Sequence, residues 1–423
     1  MSVDPVKLLD DMFAAAVSAA MPTKDNMPMP KAVPGRTIVI GAGKAAASMA
    51  KVVEDNWHGN DITGLVITRY QHGLDLTKIK VVEAGHPVPD DAGEEAARTI
   101  MQMVSNLTEQ DQVICLISGG GSSLLSLPAD GVSLKSKQQV NKALLKSGAN
   151  ISEMNTVRKK LSAIKGGRLA VAAYPAKTVT YMISDVPGDD PSVIASGPTV
   201  PDETTVDDAL AVIEKYNIQL PEDVAAFLKT DAAETPDVVH PAFALGTMHM
   251  IATPQQSLEA AAEVASDAGI KSLILGDSIE GEAKEVAKVM AGMARQAVNF
   301  NQPLPIPCVL ISGGETTVTV SSAEGDLGRG GRNAEFLLSL THELTGAEVY
   351  AIAADTDGID GTEDNAGAIM TPQSFQRALE AGLSTADYLK RHDAYNFFKQ
   401  LADLRITGPT RTNVNDFRAI LIL

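Results

Sequence analysis

"TIVIGAGKAAASMA", residues 37–50, is the stretch that decides the fold. The β-branched residues 38–40 run into Gly41-Ala42-Gly43, and an alanine-rich segment follows. This order predicts a strand, a tight turn and a helix. It also fits the loose dinucleotide fingerprint G-x-G-x-x-G/A, with Ala46 in the last position. Lys44, however, stands inside the turn, where a dinucleotide site offers backbone groups, so nicotinamide chemistry and other phosphate chemistry both stay open.

The composition indicates a two-domain α/β protein. The 423 residues include 34 glycines and are 44% hydrophobic but only 4% aromatic. A chain of this length exceeds one ordinary hydrophobic core, and abundant glycine suits many strand-to-helix turns. The net charge of −18 argues against nucleic acid or an anionic membrane as a partner. An anionic substrate would therefore need locally placed cations.

The cysteines and the N-terminal segment favour a cytoplasmic location. Cys115 and Cys308 each lie in an apolar, strand-like run, which predicts buried and reduced thiols. Acidic residues interrupt the apolar N-terminal segment, so a signal peptide is rejected in favour of an amphipathic helix. Its apolar face consists of Leu8, Leu9, Met12, Phe13 and Ala16.

Strand-like and helix-like segments alternate along nearly the whole chain, which predicts mainly parallel sheets with helices on both faces. The predicted strands cover residues 37–41, 64–68, 79–84, 112–118, 178–184, 242–246, 272–276, 308–312, 348–354 and 417–423. The acidic, proline-bearing stretch 230–241 lacks periodicity. It predicts an N-terminal domain of residues 1–238 and a C-terminal domain of residues 239–423.

Five of these strands are followed by a loop that carries glycine together with Lys, Ser, Thr or Asp. The loops are GAGK (41–44), SGGGSS (118–123), SDVPGDDPS (184–192), SGGETT (312–317) and DTDGIDG (355–361). In open parallel sheets, ligands bind outside the carboxyl ends of the strands. Loops that only connect elements need no such residues, so we predict an active site at this edge.

The first of these loops fits no nucleotide motif fully. A nicotinamide site wants an acidic residue at the end of the strand after the first helix, and Arg69 stands there instead. The G-x-x-x-x-G-K-[ST] pattern of a P-loop is absent from the sequence. Lys44 would lie at a helix N-terminus, where phosphate is already favoured. It could balance the charge of a transferring phosphoryl group, or it could be a solvated surface lysine.

Basic residues at two further places are candidates for anion binding. In the predicted helix NTVRKKLSAIKGGRL, Arg158, Ser162 and Lys165 are spaced to share one face, which could hold a small carboxylate. Arg329 and Arg332 precede another predicted helix in GRGGRNAEF and could clamp phosphate. A solvated basic surface is the alternative at both places.

Two of the loops are rich in aspartate. One contains Asp185, Asp189 and Asp190, and the other contains Asp357. The second loop fails as a calcium-binding loop, because Ile359 occupies a ligand position and the bidentate Glu is absent. Carboxylates in glycine-rich loops suit a general base or a hydrated Mg²⁺ bound with substrate phosphates. Plain Asx turns are the alternative.

Eight motifs occur in the order that is typical of the glycerate 2-kinases, and the chain resembles that family over nearly its whole length. They are GAGKAA, SGGGSSLL, NxxRKKLSxIKGGRL, SDVPGDDPSVIASGPT, SGGETTV, GRGGRNAEF, DTDGIDG and TGPTRTNVND. The resemblance implies a Rossmann-like N-terminal domain with a mainly parallel sheet and a second α/β domain of the MOFRL type with a mixed sheet. It implies a site in the cleft between them, where MgATP and D-glycerate give 2-phosphoglycerate. Some members of the family carry the name hydroxypyruvate reductase.

The motifs and the resemblance together assign roles to residues. The expected catalytic residues are Lys44, Asp185 and Arg332, and the expected metal ligands are Asp190 and Asp357. The expected substrate- and phosphate-binding residues are Gly41, Gly43, Ser118, Gly119, Gly120, Gly121, Ser122, Arg158, Lys165, Asp189, Gly313, Gly314, Glu315, Arg329 and Asn333. Which aspartate is the base and which binds metal stays open. Arg411 departs from the family pattern, since glycine is expected between the threonines.

The main hypothesis is a cytoplasmic kinase that uses ATP and Mg²⁺ to phosphorylate glycerate. An NAD(P)H-dependent hydroxypyruvate reductase is the leading alternative, but it lacks an evident ribose-binding acid and a compelling His–Asp pair. His86, beside glycine and proline turns, is interpreted as structural. A non-catalytic metabolite-binding sensor is a third hypothesis. The predicted partners are a small-molecule substrate and a nucleotide, without nucleic acid or membrane, and a homodimer is left open.

Overall fold

The computed structural model describes residues 4–320 and 327–423, which form two compact units. The first unit comprises Pro22–Ile251, and the second comprises the chain up to Met21 and Ala252–Leu423. The strands are β1 Thr37–Ala42, β2 Ile62–Arg69, β3 Ile79–Ala84, β4 Gln112–Ile117, β5 Lys177–Ile183, β6 Thr247–Ala252, β7 Lys271–Gly276, β8 Gly281–Glu282, β9 Cys308–Ser312, β10 Thr316–Thr317, β11 Val349–Asp355, β12 Gly367–Met370, β13 Leu404–Arg405 and β14 Asp416–Ile422. The helices are α1 Pro5–Ala19, α2 Ala46–Asn56, α3 Asp91–Val104, α4 Gly121–Leu124, α5 Leu134–Ser147, α6 Ile151–Lys160, α7 Arg168–Ala173, α8 Val206–Lys215, α9 Glu222–Phe227, α10 Pro241–Ala244, α11 Pro254–Asp267, α12 Ala283–Phe300, α13 Arg332–Glu343, α14 Ser374–Glu380, α15 Thr385–Lys390 and α16 Ala394–Gln400.

The first unit is built on a six-stranded sheet in the order β3-β2-β1-β4-β5-β6. Neighbouring strands from β3 to β5 run parallel. Every residue of β1 and β4 is buried, which explains their near-continuous apolar sequences. The predicted Rossmann-like, mainly parallel sheet is confirmed.

The register of the parallel strands brings the candidate loops to one edge of this sheet. Ala42 at the end of β1 pairs with Ile117 at the end of β4, and Ile117 pairs with Met182 near the end of β5. The three strands therefore end at the same level. The loops that follow them emerge side by side, at the edge where parallel sheets bind ligands.

The second unit is built on a mixed sheet in the order β13-β12-β11-β14-β9-β7. Only β7 and β9 pair in parallel within this sheet, and the other described neighbours are antiparallel. Side chains alternate between two hydrophobic clusters, with Cys308 and Leu310 on one face and Val309 and Ile311 on the other. Helices α12, α13 and α16 contribute to the first cluster, and α1 and α11 contribute to the second.

The division of the chain differs from the predicted boundary between residues 238 and 239. Helix α1 belongs to the second unit, because its predicted apolar face packs on α11 and the Phe13 ring lies 5.8 Å from the Phe417 ring. Residues 239–251 belong to the first unit, because β6 is the last strand of its sheet. Hydrophobic contacts, rather than the acidic stretch 230–241, decide where the units separate.

The predicted strand at residues 242–246 is wrong. Pro241–Ala244 form the short helix α10, and the strand begins only at Thr247. Proline at the first helical position has its φ angle already set for a helix, and a short apolar run cannot distinguish strand from helix by periodicity. The other predicted strands coincide with strands of the structure.

Both cysteines are buried, free thiols, as the sequence predicted. Cys115 lies in β4 and Cys308 begins β9. Among the described residues, no helix combines the length and the apolar character needed to cross a membrane.

Replacing Gly41 with alanine should destabilise the first unit. A Cβ on Gly41 would lie 2.2 Å from the carbonyl oxygen of Leu116 in β4, so the central strands would have to move apart. Overpacking of this kind costs roughly 1–3 kcal/mol, which denaturant unfolding of the variant should detect. Gly246→Ala in the same unit is the control, since its nearest contact would be an ordinary 3.4 Å. Equal stability of Gly41→Ala and wild type would contradict the prediction.

Candidate active site

The turn that carries Lys44 is fastened to the turn after β4. Gly43 has a φ of 137°, and a Cβ there would lie 2.1 Å from Ser118 Oγ. The Lys44 N–H donates to the Gly119 carbonyl at 2.9 Å, and the Ala45 N–H donates to Ser118 Oγ at 3.0 Å. Only glycine permits so close an approach. Gly43 and Ser118 thus fix the backbone position of Lys44. The residue as a whole is 8% exposed.

Lys44 and His86 both lie beside Gly120 of the glycine-rich loop. A Cβ built on Gly120 would lie 3.4 Å from Lys44 Cγ and 3.0 Å from His86 Nε2. Gly120 has a φ of 79° and directly precedes α4. His86 comes after β3, so it also reaches the carboxyl edge of the sheet. The structure places this histidine beside the candidate lysine, which the sequence interpretation missed.

A hydrogen-bonded chain links the glycine-rich loop to α6. Ser122 Oγ lies 2.9 Å from Ser196 Oγ, and the Ser196 hydroxyl donates to Asn155 Oδ1 at 3.2 Å. Lys165 Nζ donates to the carbonyl oxygens of Ser122 at 2.7 Å and Ala195 at 3.3 Å. The predicted site residues Ser122 and Lys165 are therefore in direct contact.

The loop that carries Ser196 has an unusual backbone. Ala195, Ser196 and Gly197 have φ angles of 51°, 61° and 60°. The N–H groups of Gly166 and Gly167 donate to the carbonyls of Ser196 and Gly197 at 3.1 and 2.8 Å. Left-handed backbone costs a non-glycine residue roughly 1–2 kcal/mol. Such strain clusters at functional sites, which supports a role for this loop.

The predicted helix over residues 155–169 is wrong beyond Lys160. Helix α6 ends there, and α7 begins only at Arg168. The hydroxyl of Ser162 accepts from the N–H groups of Ile164 and Lys165 at 3.3 and 3.2 Å. A hydroxyl that binds nearby backbone competes with helical hydrogen bonding, and here it turns the chain so that Lys165 meets Ser122.

The aspartates after β5 have different surroundings. Asp185 follows the end of β5 by two positions, at the edge of the sheet. Asp189 has a φ of 55°, and its buried Oδ1 has no hydrogen-bond partner among the described residues. Asp190 accepts from the Ser192 N–H at 2.8 Å and lines a cavity of about 330 Å³ together with Asn155. The cavity thus joins the aspartate loop to α6.

In the second unit, Arg332 binds three carboxylates. Its Nε lies 2.7 Å from Asp416 Oδ1, and its terminal nitrogens lie 2.7 Å from Glu315 Oε1 and 2.9 Å from Asp355 Oδ2. Asp355 and Asp416 are directly opposite each other in the β11–β14 pair, where like charges repel. Burial raises the pKa of Asp416, but the charges of Arg332 and Arg418 outweigh it and hold that pKa below its usual value.

The two predicted arginines differ in their surroundings. Arg332 uses three of its five N–H groups on the carboxylates, and the other two have no hydrogen-bond partner among the described residues. Arg329 is exposed, pairs with Glu363 and stacks on the Tyr395 ring at 4.6 Å. Arg332 is therefore rigidly placed, whereas Arg329 belongs to the surface.

Asn333 supports the position of Arg332. Its Nδ2 donates to Asp416 Oδ1 at 2.7 Å, and its backbone N–H donates to Asp360 Oδ1 at 3.0 Å. Asp360 also accepts from the Ala334 N–H at 2.8 Å, so it caps α13. Burial raises the pKa of Asp360 to about 6. The side chain of Asn333 is thus part of the framework of the site.

The loop after β9 delivers Glu315 to this arginine. A Cβ on Gly314, whose φ is 110°, would lie 2.3 Å from the backbone nitrogen of Ile279. The carbonyl of Gly313 accepts from Arg418 at 3.0 Å. Both glycines are buried, whereas Glu315 is exposed and contacts Arg332. The loop therefore needs glycine at its base to present the carboxylate.

The predicted metal ligands Asp190 and Asp357 belong to different units. Asp357 is 1% exposed; its N–H donates to Asp355 Oδ1 at 3.0 Å, and its Oδ1 accepts from the Ile359 N–H at 2.8 Å. In residues 4–320 and 327–423, no group of three or more His, Cys, Asp or Glu is arranged to hold a metal ion. Mg²⁺ usually needs only one or two carboxylates beside substrate phosphates, so both residues stay candidates.

Several residues that complete these networks were not predicted. They are His86, Asn155, Ser196 and Asp416. His86 could have been found from its place after a strand, as the other loops were. The remaining three take part through contacts with residues far away in the chain, for which a single sequence offers no signal.

Comparison with known proteins adds to this picture. The family described as a domain of unknown function, DUF4147, matches residues 3–229, and the MOFRL family matches residues 308–416. A D-glycerate 2-kinase from Thermotoga maritima is 40% identical over 99% of this chain and 98% of its own length. A protein from Agrobacterium vitis that bears the provisional name hydroxypyruvate reductase is 52% identical over 98% of this chain and 94% of its own length. The crystal structure of glycerate kinase from Thermotoga maritima matches with a TM-score of 0.84 at 39% identity, over 99% of this chain and 98% of that one.

Arg411 has a φ of 63°, in the left-handed region that favours glycine. This explains why the family pattern leads one to expect glycine at that position. The neighbouring Thr410 anchors the loop, since its N–H donates to the Asp357 carbonyl at 3.0 Å and its hydroxyl donates to the Thr356 carbonyl at 2.6 Å. The loop therefore keeps its contacts with the DTDGIDG segment at the expense of local strain.

Arg411→Gly should be more stable than Arg411→Ala by about 1 kcal/mol, because only glycine adopts this backbone without strain. Both variants lose the arginine side chain, so their difference isolates the backbone. Denaturant unfolding measures it. If alanine were as stable as glycine at this position, the strain would be absent.

Proposed function

This chain belongs to the glycerate kinase family that joins a DUF4147 domain to a MOFRL domain, and we propose that it is a glycerate 2-kinase. The reaction transfers the γ-phosphoryl group of ATP to the C2 hydroxyl of D-glycerate and gives 2-phosphoglycerate and ADP. The observation that carries the proposal is the full-length likeness, in sequence and in fold, to glycerate kinases.

Lys44 is proposed to neutralise charge on the transferring phosphoryl group. It lies two residues before α2, at the carboxyl edge of a parallel sheet, where helix N–H groups already favour phosphate. The glycine-rich loop 118–122 beside it offers further backbone N–H groups. Phosphoryl transfer is catalysed mainly by positioning and by neutralising charge, which these groups can supply.

Asp185 is proposed as the group that accepts the proton of the C2 hydroxyl. Its carboxylate follows β5, whose end is level with those of β1 and β4. The C2 hydroxyl oxygen forms a bond to the γ-phosphorus, and the bond from the γ-phosphorus to the bridging oxygen breaks, which releases ADP. The hydroxyl proton moves to the Asp185 carboxylate. General base catalysis needs this carboxylate within hydrogen-bond reach of the hydroxyl.

Arg332 is proposed to contact phosphate through the two N–H groups that its carboxylate partners leave available. Its three ion pairs hold the guanidinium in one orientation. A preoriented donor costs little reorganisation when charge develops in the transition state. Asn333 and Asp416 act on the reaction only through Arg332 in this scheme.

Mg²⁺ is the metal that the family and the carboxylate loops imply. When bound, Mg²⁺ shields phosphate charge in phosphoryl transfer. Asp190 and Asp357 are the residues that would bind the Mg²⁺ ion. The Asp190 side chain is exposed, whereas Asp357 is buried. The exposed carboxylate suits an ion that keeps several waters, and the donor set of oxygen atoms fits Mg²⁺ rather than zinc.

Hydroxypyruvate reduction is the second candidate, and it is favoured by the provisional name of the Agrobacterium vitis relative. The structure offers it less support. Arg69 ends β2, where a nicotinamide site would place an acid for the ribose. Lys44 fills the turn that a pyrophosphate would approach through backbone alone.

A direct comparison of substrates tests the function. We expect ADP release and 2-phosphoglycerate, identified by NMR, from ATP and D-glycerate, and no NAD(P)H oxidation with hydroxypyruvate. The kinase activity should stop with a chelator and return with Mg²⁺. NADH-dependent turnover without kinase activity would favour the reductase, and binding of glycerate without either turnover would favour a sensor.

Lys44→Met should lower kcat by roughly 100-fold or more, because one electrostatic contact in the transition state is worth about 3 kcal/mol. Lys51→Met on the same helix α2 is the matched control, since Lys51 is exposed and pairs only with Asp55 in the described residues. Steady-state kinetics on folded protein measure both variants. A fully active Lys44→Met enzyme would remove the lysine from the mechanism.

A further inference from the structure

Three basic side chains of the first unit lack a carboxylate partner. Lys137 on α5 and Lys165 after α6 are 3% and 1% exposed, and Arg158 on α6 is half-buried. No carboxylate among the described residues lies within 4.0 Å of any of the three. Their neighbours Lys159 and Lys160, by contrast, both pair with Asp202 at 3.2 Å. Buried cations in this region therefore fall into two groups: Lys159 and Lys160, which share a carboxylate, and Lys137, Arg158 and Lys165, which contact none of the described carboxylates.

The three side chains are brought together by uncharged contacts. Arg158 Nε donates to Asn141 Oδ1 at 3.0 Å, and Asn141 lies one helical turn from Lys137 on α5. Lys137 Nζ lies 3.4 Å from the Leu127 carbonyl, which also accepts from Ser162 at 3.2 Å. The chain from Ser122 to Leu127 thus contacts α5 on one side and the turn of Lys165 on the other.

The cations repel one another in a poorly solvated place. Burial lowers the pKa of Lys137 to about 7, with Glu94 opposing this and Arg158 adding to it. Burial and the charges of Lys137 and Arg158 lower the pKa of Lys165 well below its usual value. Buried charges without partners are costly. The charged forms of Lys137 and Lys165 are therefore disfavoured, and an anion bound beside them would restore those forms.

We propose that Lys137, Arg158 and Lys165 form one subsite for the carboxylate of the substrate, with Lys137 as a specificity-determining residue. This inference rests on the proposed function. The carboxylate of glycerate is bonded directly to C2, so its subsite must adjoin the groups that act on the C2 hydroxyl. Lys165 contacts the Ala195 carbonyl in the segment that follows Asp185, and it contacts Ser122 in the glycine-rich loop whose Gly119 is bound to Lys44.

The enclosure of the subsite favours a carboxylate over the phosphates of the nucleotide. Lys137 and Lys165 are almost fully buried, so a small anion such as a carboxylate could approach them more readily than a polyphosphate chain. Arginine and lysine donors can satisfy both oxygens of one carboxylate. Neutral analogues such as glycerol should therefore bind far more weakly than D-glycerate.

Lys137→Met tests the subsite. We expect the KM for D-glycerate to rise by about 10-fold or more, the KM for ATP to stay within about twofold, and kcat to fall less than the KM rises. Lys142→Met is the matched control, because Lys142 lies exposed on the same helix. Lys137→Met should also fold at least as stably as wild type, since it removes a buried charge; Lys137→Gln replaces it if the methionine variant fails to fold.

Binding without turnover separates this inference from the proposed function. D-Glycerate alone should raise the melting temperature of the wild type and of Lys142→Met but not of Lys137→Met, and glycerol should raise none of them. This pattern in a protein without kinase activity would refute the kinase and leave the subsite standing. An active kinase whose Lys137→Met variant keeps its KM for D-glycerate would overturn the subsite, as would a rise confined to the KM for ATP.

Discussion

The close approach of the turn after β1 to the turn after β4 positions most candidate groups of the first unit. Adjacent parallel strands that end at the same level send their loops into the same space, and Gly43 lets the backbone pass where a Cβ would overlap Ser118. The hydrogen bonds of this contact fix Lys44 on one side and the glycine-rich loop on the other. Through Ser122, the same loop reaches Lys165 and Ser196, so one glycine contact organises groups from distant parts of the chain.

In the second unit, arginine side chains neutralise two carboxylates that are paired at the ends of neighbouring strands. Its strand register pairs Asp355 with Asp416. Repulsion between two buried carboxylates at directly opposite positions destabilises the sheet unless a cation lies between them. Arg332 occupies that position, and Arg418 adds a second positive charge beside Asp416. The arginine is consequently held for structural reasons in an orientation that leaves part of its guanidinium available. Stability and the proposed contact with phosphate need not compete at Arg332.

The features that the sequence predicted are local ones. Strand periodicity and glycine-rich turns are readable over a few residues, and they located Lys44, the loop 118–122 and the aspartates after β5. Lys137 could not be predicted as a site residue, because nothing in LKSKQQVNKALLKS separates it from the exposed Lys135. Only the folded structure shows that Lys137 is buried and contacts the Leu127 carbonyl. The end of α6 was missed because Ser162 uses its hydroxyl on the backbone. The roles given to the site residues stay predictions.

Helix α1 precedes the first unit in the chain but belongs to the second unit, most of which follows the first unit. During synthesis the first unit, a continuous segment, can fold once Ile251 has left the ribosome. The apolar face of α1 is covered later, because α11 and the central strand β14, which pack on it, are translated after the first unit. On the nascent chain, the apolar face of α1 therefore stays uncovered until α11 and β14 have been translated.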